Sequence, residues 1–529
     1  QWKNITTKNG LPSNNCSNVI VHENKFFVAT DRGVVIIQNG KVDLSLNKII
    51  PGEFKNIVAV AFEGNSRLWV LSKNCIGYIQ NKKFIVVNKT INVTDDVSGF
   101  PVQFVPEYYG LAFWGNKFGT YTLDKSTGKV DALDDQTGIR VLNPNSMLLD
   151  REWNLWLAGG NGINKLKSRR FETYRKRSGL FKDEVYSIIE RDKGEMIFGH
   201  INGLTILKNG KLKQIVFNKD NNPGNTAKVL DMCKDSSQNI WIAAEKFGIG
   251  RLDRSNRITW YKIKDDDHHY AGSVITDLYG NVYALSNSNL FKFVDNKFEE
   301  IKFPEDISIN GLRKLFVSPE NKICISTFSE GILLIENEDR IRIIKNSSNK
   351  RANNVFSVYF DNDYGILTGT YDGLYKVEQN SLKKFQFGNS NERNPIYFIT
   401  KDNDGNIWIG TDRGVKKWDG KKIKKYSVKS GLAGLETNRD AGFLDSSHHM
   451  WIGTDRGVSK YLKEFDTKSD ALPNVILETI EPDIGFLNSG NDKTILVESG
   501  SLILKSTVVS FSAEELNNFQ YKLEGYDKY

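Results

Sequence analysis

Short apolar runs, each ending in a turn rich in Gly, Asn or Asp, recur along the chain as far as Tyr461. The clearest copies are DGNIWIGTDRGVKKW, residues 404–418, and HHMWIGTDRGVSKY, residues 448–461. Weaker relatives start at Trp153, Gln238 and Tyr364. The position of the tryptophan is held in turn by Phe27, Trp69, Leu111, Trp156, Ile197, Trp241, Tyr283, Cys324, Leu367, Trp408 and Trp451, at gaps of 41 to 45 residues. Four apolar runs per period of about 42 residues predict blades of a β-propeller, an all-β fold. Within one copy the pattern predicts strands over Asn354–Phe360, Ile366–Thr370, Leu374–Val377 and Leu382–Phe387. Segments such as DNDG and DRG supply hairpin turns, and the tryptophans read as filler between neighbouring blades.

Eleven copies exceed the four to eight blades that usually close one ring, so two propellers are expected. A phrase ending in Gly-Leu marks the entry to a new blade at Trp2–Leu11, Tyr174–Leu180 and Tyr426–Leu432. If the second opens a ring, seven copies follow it, and the strand near Phe171–Arg177 completes the last blade. The expected division is a first propeller region of four recognised blades over 1–167, a seven-bladed propeller over 168–465, and a C-terminal region over 466–529. In that last region the period stops. Pro473–Glu481, Asn491–Leu496, Leu502–Phe511 and Asn518–Glu524 read as strands of a small Ig-like β-sandwich, apparently truncated at Tyr529.

Charge and cysteine content narrow the function. With 72 Lys and Arg against 64 Asp and Glu, the net charge of +8 is spread along the chain, with no basic block suited to nucleic acid. It leans weakly toward anionic ligands. Cys16, Cys75, Cys233 and Cys324 are far apart and form neither a zinc framework nor a disulfide scaffold. No run of about 18 apolar residues spans a bilayer. A start at Gln1 fits removal of a signal peptide.

The repeats together with FQYKLEGYDKY, residues 519–529, resemble the extracytoplasmic sensor region of hybrid two-component regulators of Bacteroides-type bacteria, in which propeller repeats precede a three-tyrosine sandwich. The matching residues are Tyr521, Leu523, Glu524, Gly525, Tyr526 and Asp527, and GLAGLETNRDAG from Gly431 resembles that family's entry to its final blade. Family members carry fourteen blades, then the sandwich, a membrane helix, a histidine kinase core and a DNA-binding response regulator. This chain shows eleven blades and none of the later parts. The resemblance implies a periplasmic region that binds an oligosaccharide without catalysis. It further implies a homodimer through the sandwich and a membrane helix just beyond the C-terminus.

Ligands of propellers sit where the second-to-third turns and the outer-to-inner connections converge. The first class offers Asp31, Arg32, Asp412, Arg413, Asp455 and Arg456, with His200 at the position of Thr411. The second offers Lys182, Glu184, Glu436, Asn438 and Arg439. Arg and Asn present planar donors to sugar hydroxyls or carboxylates. The candidate ligand residues are Arg32, His200, Arg413, Glu436, Asn438, Arg439 and Arg456, against the plainer reading that Asp-Arg-Gly is turn chemistry. Trp114 and Tyr371 break the small-residue pattern of their turns and either stack on a sugar or pack. A glycoside hydrolase or lyase would need paired carboxylates. Glu184, Asp231 and Glu436 are present, but no feature pairs any two of them. Asp265–His269 and the pair His448 and His449 are the densest metal-like clusters, yet adjacent ligands in a turn rarely give tetrahedral geometry. No cofactor, metal or catalytic motif is expected. A glycosidase and a protein-binding scaffold remain the alternatives.

Overall fold

The computed structural model describes residues 3–91, 102–108, 111–116, 119–133, 145–217, 227–263, 271–304, 311–337, 340–387, 393–466, 474–482 and 502–511. The chain divides into two compact units. One contains 1–134, 139–167 and 467–529; the other contains 168–466 with 135–138. Among the described residues the only helices are single 3₁₀ turns, and none is long and apolar enough to cross a membrane.

Nearly every sheet is an antiparallel meander whose strands follow chain order. The reason is local: each turn carries its own stop signal. In the strongest copy the Asp402 carboxylate accepts the backbone N–H groups of Asp404 (3.1 Å) and Asn406 (2.9 Å), the Asn406 side-chain amide, and the Trp408 indole N–H at 2.8 Å. One side chain therefore closes the hairpin and anchors the core tryptophan six residues later. The same device recurs as Asp150–Trp156, Asp235–Trp241 and Asp445–Trp451, with indole distances of 2.8, 3.0 and 2.8 Å. Glu63 replaces the aspartate for Trp69, at 2.6 Å.

In the unit over 168–466, seven sheets span 187–216, 229–261, 273–301, 312–344, 355–384, 396–426 and 437–461. They are called the first to seventh ring sheets below. The strand Phe171–Tyr174 precedes the first sheet in the chain but pairs with Gly457–Tyr461 of the seventh, Phe171 opposite Tyr461 and Tyr174 opposite Val458. Between each pair of neighbours lies one apolar cluster. Ile197 and Ile206 of the first sheet meet Val229 and Ile242 of the second, and Trp408 of the sixth meets Ile452 of the seventh. The seventh interface joins Trp451 and Val458 to Ile188 and Phe198 of the first sheet. That contact closes the ring. Second strands are buried end to end, as in Ile407–Thr411, whereas outer strands such as Lys211–Val216 keep only two residues, Leu212 and Ile215, half-covered. Such burial favours parallel stacking of sheets around an axis over a two-layer sandwich.

The Gly-Leu phrase acquires a physical meaning here. Thr7–Asn9, Lys176–Ser178 and Val428–Ser430 each form one 3₁₀ turn that ends on Gly10, Gly179 or Gly431, at φ of 99°, 112° and 105°. Only glycine enters this left-handed region without strain. The next residue, Leu11, Leu180 or Leu432, drops into the core. In the fifth ring sheet the observed strands are Val355–Asp361, Gly365–Thr370, Gly373–Glu378 and Ser381–Lys384. The outer strand is thus shorter than the expected Leu382–Phe387, because Phe387 turns in to pack against the sixth sheet.

The other unit begins with four sheets, over 16–43, 57–88, 103–133 and 146–166, the last with three strands. Apolar clusters fill the first two interfaces, with Trp69 and Trp114 in the second. Two further strands, Asn474–Pro482 and Leu502–Val509, pair antiparallel. Of the expected sandwich, Asn491–Leu496, Asn518–Glu524 and the tyrosine-rich terminus lie outside the described residues.

Candidate functional site: an aromatic and guanidinium face

The Asp-Arg-Gly turns share one construction. The hydroxyls of Thr30, Thr411 and Thr454 each donate to the carbonyl of Gly33, Gly414 or Gly457 at 2.8 Å. Each also accepts the backbone N–H of Arg32, Arg413 or Arg456, at 3.2, 3.0 and 3.2 Å. The backbone of these arginines therefore serves the turn while their side chains are exposed. Arg456 reaches back to its neighbour Asp455 at 3.4 Å.

Other candidates fare differently. His200 has no exposed surface. One ring nitrogen meets the Glu184 carbonyl at 2.8 Å and the other the Thr205 hydroxyl at 2.9 Å. Burial pulls its pKa down to about 4, so it is a neutral strut and not the exposed ligand residue expected. Asn438 and Arg439 lie within the strand Thr437–Leu444, not in a connection, and the Asn438 amide is spent on the Val185 carbonyl at 2.8 Å. Glu436 is exposed and Arg439 half-buried. Trp114 is 1% exposed and belongs to the core, whereas Tyr371 is 42% exposed. The Asp265–His269 cluster lies outside the described residues. His448 and His449 are committed to a turn: His449 meets Asp445 at 3.2 Å and His448 meets Asn403.

A different set of side chains does converge. The inner strands of the fourth, fifth and sixth ring sheets each slip register by one residue, between Leu312 and Lys314, Val355 and Ser357, and Ile396 and Phe398. Such a bulge re-aims the extra side chain. Here the extra residues are Arg313, Phe356 and Tyr397. Turns at the same end of these sheets bring Phe328 and Tyr371, which stand directly after Thr327 and Thr370 as Asp412 stands after Thr411. The Arg313 guanidinium lies between two rings, 3.7 Å from the centre of Phe328 and 4.3 Å from that of Phe356. It is fixed by the Asn354 side chain at 2.8 Å and the Val355 carbonyl at 3.1 Å. Phe356 touches Tyr397 edge-on at 5.0 Å, and Arg351 covers the Tyr371 ring at 4.6 Å. Burial first, and then the charges of Glu436 and Asp412, raise the Tyr397 hydroxyl above its usual range, while Arg439 opposes the shift. The seventh sheet thus contributes Glu436 and Arg439 to the same neighbourhood.

The result is one patch drawn from the ends of the fourth to seventh sheets, in which aromatic rings alternate with guanidinium groups. Of its members only Tyr371, Glu436, Arg439 and Asp412 stand out in the sequence. Phe328 was hidden because its repeat carries Cys324 at the tryptophan position. Arg313, Phe356 and Tyr397 were hidden because a bulge leaves no compositional mark.

The acids behave otherwise. Asp231 and Asp440, on the inner strands of the second and seventh ring sheets, both bind the Lys314 ammonium of the fourth, Asp231 at 3.2 Å. Among the described residues no group of three or more metal-ligating side chains assembles.

The family described as two component regulator propeller matches residues 392–413. No curated protein matches the chain. Among solved structures, the extracellular domain of the hybrid two component system BT3049 from B. thetaiotaomicron is similar at 15% identity and a TM-score of 0.61, over 92% of this chain and 67% of that one. The corresponding domain of BT4673 from the same organism gives 16% identity and 0.46 over 90% and 68%, and a virginiamycin B lyase from Staphylococcus aureus gives 14% and 0.46 over 55% and 99%. The last two scores are too low to carry an argument. The chain thus carries a two component regulator propeller repeat over residues 392–413 and shares the fold of the BT3049 extracellular domain.

Proposed function

We propose that this chain is the periplasmic ligand-sensing region of a hybrid two-component sensor histidine kinase. In this reading it binds an oligosaccharide on the aromatic and guanidinium face of the seven-sheet ring and passes the event across the membrane to control glycan-utilisation genes. The observation that carries the reading is the alternation of Phe328, Phe356, Tyr371 and Tyr397 with Arg351 and Arg439, the buried Arg313 fixing the Phe328 and Phe356 rings between which it lies. Sugar rings present C–H faces that stack on aromatic rings, and planar guanidinium groups match hydroxyl pairs or carboxylates. Neither Arg351 nor Arg439 is paired with a carboxylate among the described residues, which favours an anionic sugar over a neutral one.

The mechanism is linkage. A sugar that binds one arrangement of the region better than another shifts the population toward it, and the shift is passed on by whatever follows in the chain, including a homodimer formed through the C-terminal sandwich. No catalytic step is needed. Asp231 and Asp440 share one lysine and do not face each other across an open bond-cleaving gap, and the turn aspartates are committed to backbone and indole groups.

The test is calorimetric titration with neutral and uronic oligosaccharides, each sugar being checked afterwards for cleavage. Intact sugar should be recovered, and Tyr371→Ala should weaken binding about tenfold, the equivalent of ~1.4 kcal/mol. Cleaved product would make the protein an enzyme. No heat with any glycan would point to a protein partner instead.

A further inference from the structure

The buried ionic cluster at the ring axis has an unbalanced charge. Its members come from inner strands that are not neighbours: Asp231 from the second ring sheet, Lys314 from the fourth and Asp440 from the seventh. Side chains from these three sheets meet only near the axis. Ser273 of the third sheet completes the group, donating its hydroxyl to Asp231 and accepting the Leu315 N–H at 3.0 Å. The side chains of Asp231, Lys314 and Asp440 retain 6%, 13% and 23% of their exposure. Two carboxylates and one ammonium leave one negative charge without a partner in a poorly solvated place, and the least costly remedy is a proton.

The two carboxyls are not equivalent. Asp231 is supported by the N–H groups of Met232 at 3.0 Å and Val274 at 3.2 Å, by Ser273 and by Lys314, all of which favour its ionised form. Asp440 shares Lys314 but has none of the backbone donors. The groups that face it are Asp231 and the Cys233 thiol from the second sheet and Lys314 from the fourth. On the adjoining inner strands, Ser187 stands opposite it, Glu190 is engaged by Ser446, and Lys401 by Asp361 and Asp363. Asp440 also lies where the seventh inner strand is out of register, between Thr437 and Gly442, directly after Arg439.

We propose that the ring axis is a proton-binding site, with the proton carried on Asp440 and shared toward Asp231 beneath Lys314, and that this proton holds the 437–442 segment that presents Arg439. Burial and the Asp231 charge push the Asp440 carboxyl well above the ordinary carboxylate range, in agreement. Because the folded state holds this proton more tightly than the unfolded chain, its contribution to stability is complete below about pH 3.8 and is lost as pH rises through the folded value.

The experiment does not depend on any sugar. Thermal melts of the whole chain are compared with those of Asp440→Asn, which imitates the protonated form. They are read above about pH 6.5, where His200 is neutral in both states. Relative to the variant, the wild type should lose roughly 2–4 °C of melting temperature per pH unit until Asp440 ionises. Protection factors of the amides across 437–442, taken against the intrinsic exchange rate at each pH, should fall with pH in the wild type and not in Asp440→Asn. Difference infrared spectra should show the carbonyl band of a protonated carboxylic acid in the wild type at neutral pH, absent in Asp440→Asn. Parallel melting curves for the two proteins, or no such band in the wild type, would overturn the proposal.

Discussion

At the residue scale the organising contact is the aspartate that binds an indole six positions later. Asp402 holds two backbone N–H groups, an amide and the Trp408 indole, and Trp408 has no exposed surface. Removing the carboxylate strands the donors of buried Asn406 and Trp408, and each stranded buried donor costs about 1–3 kcal/mol. Asp402→Ala should therefore destabilise the ring unit by ~3 kcal/mol in denaturant melts, and Asp402→Asn by less, since it keeps acceptors. His200 gives a pH prediction of opposite sign to that of Asp440. Its pKa falls from the ordinary 6.5 to about 4 on folding. Stability that depends on neutral His200 is present above about pH 6.5 and is lost as pH falls toward 4, by about 3 kcal/mol in all. His200→Gln, which keeps a donor and an acceptor, should flatten that acid limb in pH-dependent melts; an unchanged limb would count against the burial argument. The hairpin role of segments such as DNDG and the core place of the tryptophans were visible in the sequence, whereas the aspartate–indole bond that joins them was not. Nor was what His200 does, because a histidine in a turn position looks the same whether its ring points out or in.

At the element scale, ring closure depends on one short strand taken from the far end of the unit. Phe171–Tyr174 adds the outer strand to the seventh sheet, and Phe171 packs its ring on Tyr426 at 5.4 Å and Tyr461 at 5.5 Å. Proline removes a ladder hydrogen bond and fixes φ, a cost of about 3 kcal/mol or more within a regular element. Placing proline at both Glu172 and Thr173 ensures that at least one paired N–H is lost, so protease should cut the 168–466 unit faster near this strand than in the wild type. Equal cleavage rates would mean that closure rests on the apolar interfaces alone. This strand was legible because the blade count left one strand over and the Gly-Leu phrase marked its end. The ligand face was only half legible. Its turn residues stand out when the repeats are aligned, as Tyr371 does against Asp412. The bulge residues Arg313, Phe356 and Tyr397 sit in strands whose apolar alternation gives no sign of the extra residue, and only the pairing with the second strand reveals it.

At the scale of the whole molecule, the chain carries two units with separate cores, and the proposed sugar face belongs to one of them. Its aromatic and arginine residues all come from the fourth to seventh sheets of the ring, each of whose interfaces is filled by its own apolar cluster. A ligand that binds only the folded ring stabilises that unit by about 2.7 kcal/mol at 100 times its dissociation constant, and it adds nothing directly to a unit it does not touch. Calorimetry in the presence of a binding oligosaccharide should then raise the transition of the 168–466 unit. The unit can be identified by the change that Asp402→Ala makes to the same transition. Tyr371→Ala should roughly halve the sugar-induced rise, as a tenfold weaker affinity implies, while leaving the unliganded transition within about 1 kcal/mol of the wild type, because a side chain 42% exposed contributes little to the core. A sugar that instead raises only the transition insensitive to Asp402→Ala would place the ligand on the unit that begins with the four-sheet array, and the aromatic face of the ring would need another occupant.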